Sequence, residues 1–184
     1  MENQDLIRYP IGSFAPRERS TSEEREQDRA ELNAIVPRLQ QAVSDLPASR
    51  LHVPYRPNGW TPQQIIHHMA DNDMNAFIRL KRAITETEPQ ASSYRQDLWA
   101  ELNDYKETPI SVSIQLLQAI HFRMDKVLAS LTEADYEKKL RTNVLGSISV
   151  DTAIQRFIWH NRHHTAQIRS FCEAESETLS EKRS

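Results

Sequence analysis

The chain has 184 residues, 38% of them hydrophobic and 27% charged, with a formal net charge of −3. This length favours one domain around one sizeable core. With a mildly negative charge and no run of Lys and Arg, nucleic acid and anionic membrane surfaces are not expected partners, and no stretch approaches the roughly 20 apolar residues of a membrane span.

Only three glycines occur, few for a fold built on many tight turns. The single cysteine, Cys172, excludes an internal disulfide and fits a reducing compartment. The acidic start, Met1-Glu2-Asn3-Gln4-Asp5, has no apolar run of the signal-peptide kind, so the expected location is the cytoplasm.

Residues 1–20 form an arm without helical pattern. The first amphipathic segment runs from about Thr21 to Leu46, with Ser20, Thr21 or Ser22 as cap and Glu23-Glu24 at its positive end. Leu32, Ile35, Val36, Leu39, Val43 and Leu46 form its apolar stripe, and Pro37 predicts a kink. After a proline-rich connection holding Asn58-Gly59, a second helix starts at Thr61-Pro62, a cap followed by proline at the first position, and continues to about Glu86.

The stretch Pro89–Thr108 is long for a loop and predicts a short helix around Leu98–Tyr105. A third helix spans about Pro109–Leu131, with Ile110, Ile114, Leu117, Met124, Leu128 and Leu131 in phase. Alternation around Gly146 between Leu140 and Val150 predicts a small hairpin. A fourth helix, capped by Asp151, carries the stripe Ile154, Phe157, Ile158, Ile168 and Phe171 to about Glu175, and a frayed polar tail, 175–184, follows. Four amphipathic helices of similar length predict an all-α four-helix bundle, with a long second connection that permits a crossover.

Two histidine pairs stand out, His67-His68 and His163-His164, the second preceded by His160. His160 and His164, at i and i+4, lie on one helical face and can reach one metal ion. Neighbours on a helix point about 100° apart, so only one member of each pair can join them. In the fourth helix the apolar arc centres near Asn161 and Ile168; His164 falls within it, His160 at its edge, and His163 points nearly opposite, toward solvent or a subunit contact. In the second, His68 lies beside the arc of Ile65, Met69, Ala76, Leu80 and Ala83, in a polar row with Asn72, Asn75 and Arg79. His67 lies with Met74 and Ile78, a second apolar face for the proline-rich loop or another subunit. His68, His160 and His164 are therefore the expected metal ligands, three with an open position, as in working rather than sealed sites.

The other candidates read as structural. His52 is exposed or a core residue, His121 is structural or part of the pocket wall, and Asp71 and Asp73 are solvated helix residues. Cys172 is a small buried residue in the helix packing, with no nucleophile motif around it. Tyr94, Trp99 and Tyr105 either cover the pocket or pack their loop onto the bundle.

Three landmarks resemble the DinB-like metal-binding proteins, in particular the YfiT-like branch that includes bacillithiol transferases. They are Arg8-Tyr9-Pro10-Ile11-Gly12, Gly59-Trp60-Thr61 through His67-His68-Met69-Ala70-Asp71, and Trp159-His160 through His163-His164-Thr165-Ala166-Gln167-Ile168. The resemblance covers nearly the whole chain as a single domain, 1–184. It implies an up-down-down-up bundle, one divalent ion per subunit (zinc or nickel) on His68, His160 and His164, a homodimer, and a small-molecule substrate. It implies two chemistries: metal-dependent hydrolysis, or transfer of a low-molecular-weight thiol onto an electrophile. Three neutral imidazoles leave the ion its charge, so a water there ionises near pH 7 and a thiol is held as thiolate; ligand type does not choose between them. The alternatives of another class are a metal that only ties helices together, or a binding module without metal.

Overall fold

The computed structural model describes the backbone over residues 7–181 and side chains over residues 7–172. Helix α1 spans Ser22–Ser44 and runs unbroken through Pro37. Thr21 caps it reciprocally: its hydroxyl accepts from the Glu24 amide at 3.2 Å, and the Glu24 carboxylate accepts from the Thr21 amide at 2.7 Å. Helix α2, Pro62–Thr85, opens the same way, with Thr61 and Gln64 exchanging bonds of 3.1 and 3.0 Å and proline at its start.

The long connection folds into two short helices, α3 (Gln96–Trp99) and α4 (Asn103–Glu107), where one was expected. Helix α5 covers Ile110–Leu128, and a short α6, Glu133–Glu137, leads into the expected hairpin. Its strands, β1 (Lys139–Thr142) and β2 (Gly146–Ser149), pair antiparallel with Leu140 opposite Ile148. Gly146 turns the chain at φ +68, a left-handed conformation that side chains with a Cβ resist. Helix α7 runs from Val150 to Glu181, so the expected end near Glu175 is too early; residues 182–184 of the predicted tail lie outside the described residues.

Asp151 is not the cap of α7. Ser149 accepts from the Thr152 amide at 3.0 Å in that role. Asp151 is buried in the first turn, where it accepts from the Ser20 amide at 2.8 Å and lies 3.5 Å from the Arg25 guanidinium. With the Arg17 amide donating to Gln155 at 2.8 Å, it pins the N-terminal arm to α7.

Contacts between helices fix the topology. Arg29 on early α1 meets Asp125 on late α5, so those two are antiparallel. Ser20 bonds Asp151 and Ala42 meets Cys172, so α1 and α7 are parallel. His67 meets Ser113 and Asp73 meets His121, so α2 and α5 are parallel, while Asn72–His160 and His68–His164 make α2 and α7 antiparallel. The order is up-down-down-up, with α1 and α2 diagonal across the bundle.

The predicted stripes meet in two apolar clusters. One joins Leu32, Ile35, Phe77, Leu80, Met124 and Phe157; the other joins Val36, Leu39, Ile65, Met69, Leu117 and Ile168. Each fully buried aliphatic side chain contributes about 1.5–3 kcal/mol of transfer free energy. Between the two clusters lies a layer of buried polar groups from α2 and α7.

Candidate metal centre

Periodicity on two antiparallel helices builds the site. His160 and His164 lie one turn apart on α7 and meet edge to face, their ring centroids 4.5 Å apart. His68 meets them from α2, with Nε2 3.2 Å from Nε2 of His160, while Nε2 of His164 is also 3.2 Å from that atom. All three donor nitrogens fall within 4.8 Å of one another. Vertices of a tetrahedron about 2.0–2.1 Å from a central zinc lie about 3.3–3.4 Å apart. With two of the three pairs near that spacing and the third within 4.8 Å, the imidazoles fit a divalent ion.

Trp60, from the proline-rich connection, packs on His68 and His164 at 4.7 and 6.5 Å between centroids. Burial holds His68 neutral, its pKa pushed down to about 4. Burial and then mutual repulsion among the imidazoles hold His160 and His164 well below the ordinary range. Neutral imidazole is the form that ligates.

The outer nitrogens set the tautomers. His164 donates from Nδ1 to Oε1 of Gln167 at 2.8 Å, which leaves the Nε2 lone pair for a metal. Nδ1 of His160 lies 3.2 Å from the Asn72 carboxamide, whose nitrogen also donates to Asp73 at 3.3 Å. A half-turn of the Asn72 amide would present its oxygen to a protonated Nδ1 and free the opposite nitrogen, at the cost of its bond to Asp73. Nδ1 of His68 is buried without a partner among the described residues.

The cluster opens onto a cavity of about 600 Å³. The arm supplies part of its wall, since Tyr9 lies 5.7 Å from His163 and the Arg8 carbonyl accepts from Gln167 at 2.9 Å. Tyr94 lines the cavity and stacks on Trp99 at 4.4 Å. Tyr105 does not line it; Tyr105 is buried against His67 and donates to Asp71 at 2.6 Å.

Three sequence expectations are corrected. Asp71 is not a solvated helix residue: it is half-buried and accepts from the Tyr105 hydroxyl. His163 is neither solvated nor at the surface. It is buried on the cavity wall, stacked 4.9 Å from Trp159, and its Nε2 accepts from Gln167 at 3.0 Å. The arm covers the α7 face that a bare helical wheel assigns to solvent. Asp73 is fully buried, not solvated: Nε2 of His121 lies 2.6 Å from one carboxylate oxygen, and Asn161 donates to the other at 3.0 Å. His121 is thus the partner of a buried carboxylate and does not line the cavity. His67 is buried as well, 2.7 Å from the Ser113 hydroxyl, whereas Ile78 on the same side of α2 is exposed. Cys172 is partly buried and packs against the second apolar cluster.

The DinB superfamily model matches residues 17–168. Relatives from Bacillus cereus and Bacillus mycoides, each named "Putative metal-dependent hydrolase", are 39% and 40% identical to this chain. The first alignment covers 89% of this chain and 94% of the relative, the second 91% and 96%. Among solved structures, YfiT from Bacillus subtilis, described as a probable metal-dependent hydrolase with an unusual four-helix bundle topology, superposes with a TM-score of 0.89. It is 34% identical, with 93% of this chain and 98% of that one covered. A mycothiol-dependent maleylpyruvate isomerase shares the fold at 14% identity and a TM-score of 0.59, over 79% of this chain and 63% of that one.

Proposed function

The chain belongs to the DinB superfamily, and from that premise we propose that it is a metal-dependent enzyme whose ion is held by His68, His160 and His164. The observation that carries this reading is the convergence of three neutral imidazole nitrogens, two pairs of them 3.2 Å apart, at the wall of a large cavity. A metal that only tied helices together would need no such space beside it. The names of the Bacillus relatives support the same reading.

When bound, the ion supplies Lewis acidity that activates a water or a thiol brought to it. The chain's own residues do the rest. Gln167 fixes the proton of His164 on Nδ1, Asn72 orients His160, and Trp60 shields the rings of His68 and His164 from bulk water. Zinc and nickel both suit imidazole ligands. We carry two reactions forward: hydrolysis, which the relatives' names favour, and transfer of a low-molecular-weight thiol to an electrophile, which the same open position serves. The homodimer and the cytoplasmic location stay part of the proposal; exposed Ile78 and Phe122 are consistent with an apolar contact between copies.

The test is metal content of the purified protein, followed by turnover of ester, amide and alkyl halide substrates, with and without added thiols and chelator. One equivalent of divalent ion and chelator-sensitive turnover are expected. A metal-replete protein inert on every substrate and thiol would overturn the enzymatic reading.

A further inference from the structure

The cavity beside the histidines is one-sided in charge. Arg8, Arg56, Arg79 and Arg156 line it, and among the described residues no Asp or Glu does. Several arginines outside the cavity pair with carboxylates: Arg25 with Glu133, Arg29 with Asp125, Arg38 with Glu31, Arg141 with Glu88. Arg79 and Arg156 do not. Both are half-buried, and among the described residues neither meets a carboxylate. Arg79 donates from Nη2 to the Ser92 carbonyl, and its buried Nε has no partner. Arg156 lies 5.7 Å from the Phe14 ring centroid. Both line the same cavity, and burial depresses the pKa of each, with the charge of Arg156 adding to the effect at Arg79, so the folded chain carries two incompletely compensated charges on one cavity wall.

Their placement relative to the histidines follows from helix geometry. Arg156 precedes His160 by one turn on α7, about 6 Å along the axis, and Arg79 follows Asn72 by two turns on α2, about 10 Å. Because the helices are antiparallel and Asn72 contacts His160, both displacements run in the same direction. A molecule with one end at the histidines would reach the two guanidinium groups with the other.

We propose that Arg79 and Arg156 form a subsite for an oxyanion of the substrate or co-substrate, a carboxylate or a phosphate ester, one to two helical turns from the histidine cluster. Paired guanidinium forks match such groups, and charge-assisted bonds offset the desolvation both arginines already bear. The subsite deepens the proposed function by giving its substrate class, and the arginine end can be tested without the metal.

Metal-free protein is titrated with hexanoate, hexyl phosphate and 1-hexanol, and zinc-loaded protein with 6-mercaptohexanoate and 6-mercaptohexanol, by calorimetry and by amide chemical shifts. At least a tenfold preference for the anionic over the neutral member is expected in both arms; the tighter of the two hexyl anions tells carboxylate from phosphate. Arg79→Gln and Arg156→Gln are expected to erase the preference, with zinc stoichiometry and 6-mercaptohexanol affinity unchanged. The corresponding lysine variants keep part of it and report on folding. Equal affinity for neutral and anionic probes in the unsubstituted protein, or a preference that survives the double glutamine variant, would overturn the proposal. Loss of zinc binding with the anion preference intact would instead fault only the metal reading.

Discussion

Oε1 of Gln167 lies 2.8 Å from Nδ1 of His164, and this one contact decides which nitrogen of that ring is left free for the proposed metal. The amide nitrogen of Gln167 reaches the Arg8 carbonyl, the Tyr55 hydroxyl and Nε2 of His163, at 2.9, 3.0 and 3.0 Å. Arm, loop and helix therefore hold one carboxamide, which holds one ligand. Gln167→Leu is expected to weaken zinc binding about 10–100-fold, the usual effect of losing such an outer partner. His164→Ala is expected to abolish binding. His163→Ala removes one of three acceptors around the amide and should keep a stoichiometry near one. Equilibrium dialysis with elemental analysis measures all three, and equal loss in the two histidine variants would contradict the ligand assignment.

Asp73 is the second support, set behind the site rather than in it. It is fully buried and joins three helices through His121, Asn161 and Asn72, at 2.6, 3.0 and 3.3 Å. Removing it strands a buried histidine and an asparagine amide together. Asp73→Ala is expected to cost about 3 kcal/mol or more in urea unfolding. His121→Ala should cost a similar amount, and the double variant less than the sum, because the two share one contact. Strict additivity would show that the contact carries little energy.

The histidine cluster was legible because its logic is periodic. His160 and His164 differ by one turn, and the apolar stripes of α2 and α7 select His68 from its pair. The bundle was legible for the same reason, and the hairpin from alternation around Gly146. What a helical wheel lacks is the irregular chain laid over it. His163 points away from the bundle axis yet is buried, because Tyr9 and Arg8 return from far upstream to cover it. Asp73 reads as a surface carboxylate until α5 brings His121 against it. Arg156, one turn before His160, was within reach of the spacing argument, but its place on the cavity wall is a three-dimensional fact.

Metal removal separates a working ion from a structural one. Helices α2 and α7 are already joined by Asp73–Asn161 at 3.0 Å and by the apolar cluster to which Ile65, Met69 and Ile168 all belong. The chelated protein is therefore expected to keep its helicity and a cooperative transition. Its stability should fall only by ligand linkage, about 4 kcal/mol at a thousandfold excess of ion over its dissociation constant, and its melting temperature accordingly. Circular dichroism with and without chelator measures this. Unfolding on chelation would assign the ion a structural role instead.

Acid should act on the metal-free fold through the same histidines. His68 and His163 have folded pKa values of about 4, depressed by burial from the ordinary 6.5, and those of His160 and His164 are also lowered. Between those limits the unfolded chain binds protons that the folded chain refuses. The stability due to neutral histidine is thus whole above pH 6.5 and drains away as the pH falls toward 4. Burial raises the pKa of Asp28 and Asp71, which favours the folded state as the carboxylates protonate and opposes the trend toward the acid end. Urea unfolding of metal-free protein at pH 7, 6 and 5 is expected to show a progressive loss, about 3 kcal/mol at full effect for a group displaced as far as His68. Saturating zinc should raise stability by nearly the same amount at pH 7 and pH 6, because the folded nitrogens stay free of protons there, and by less only as the pH approaches 4. A metal-free protein equally stable at pH 7 and 5 would mean that these rings are open to water, and the buried cluster would have to be abandoned.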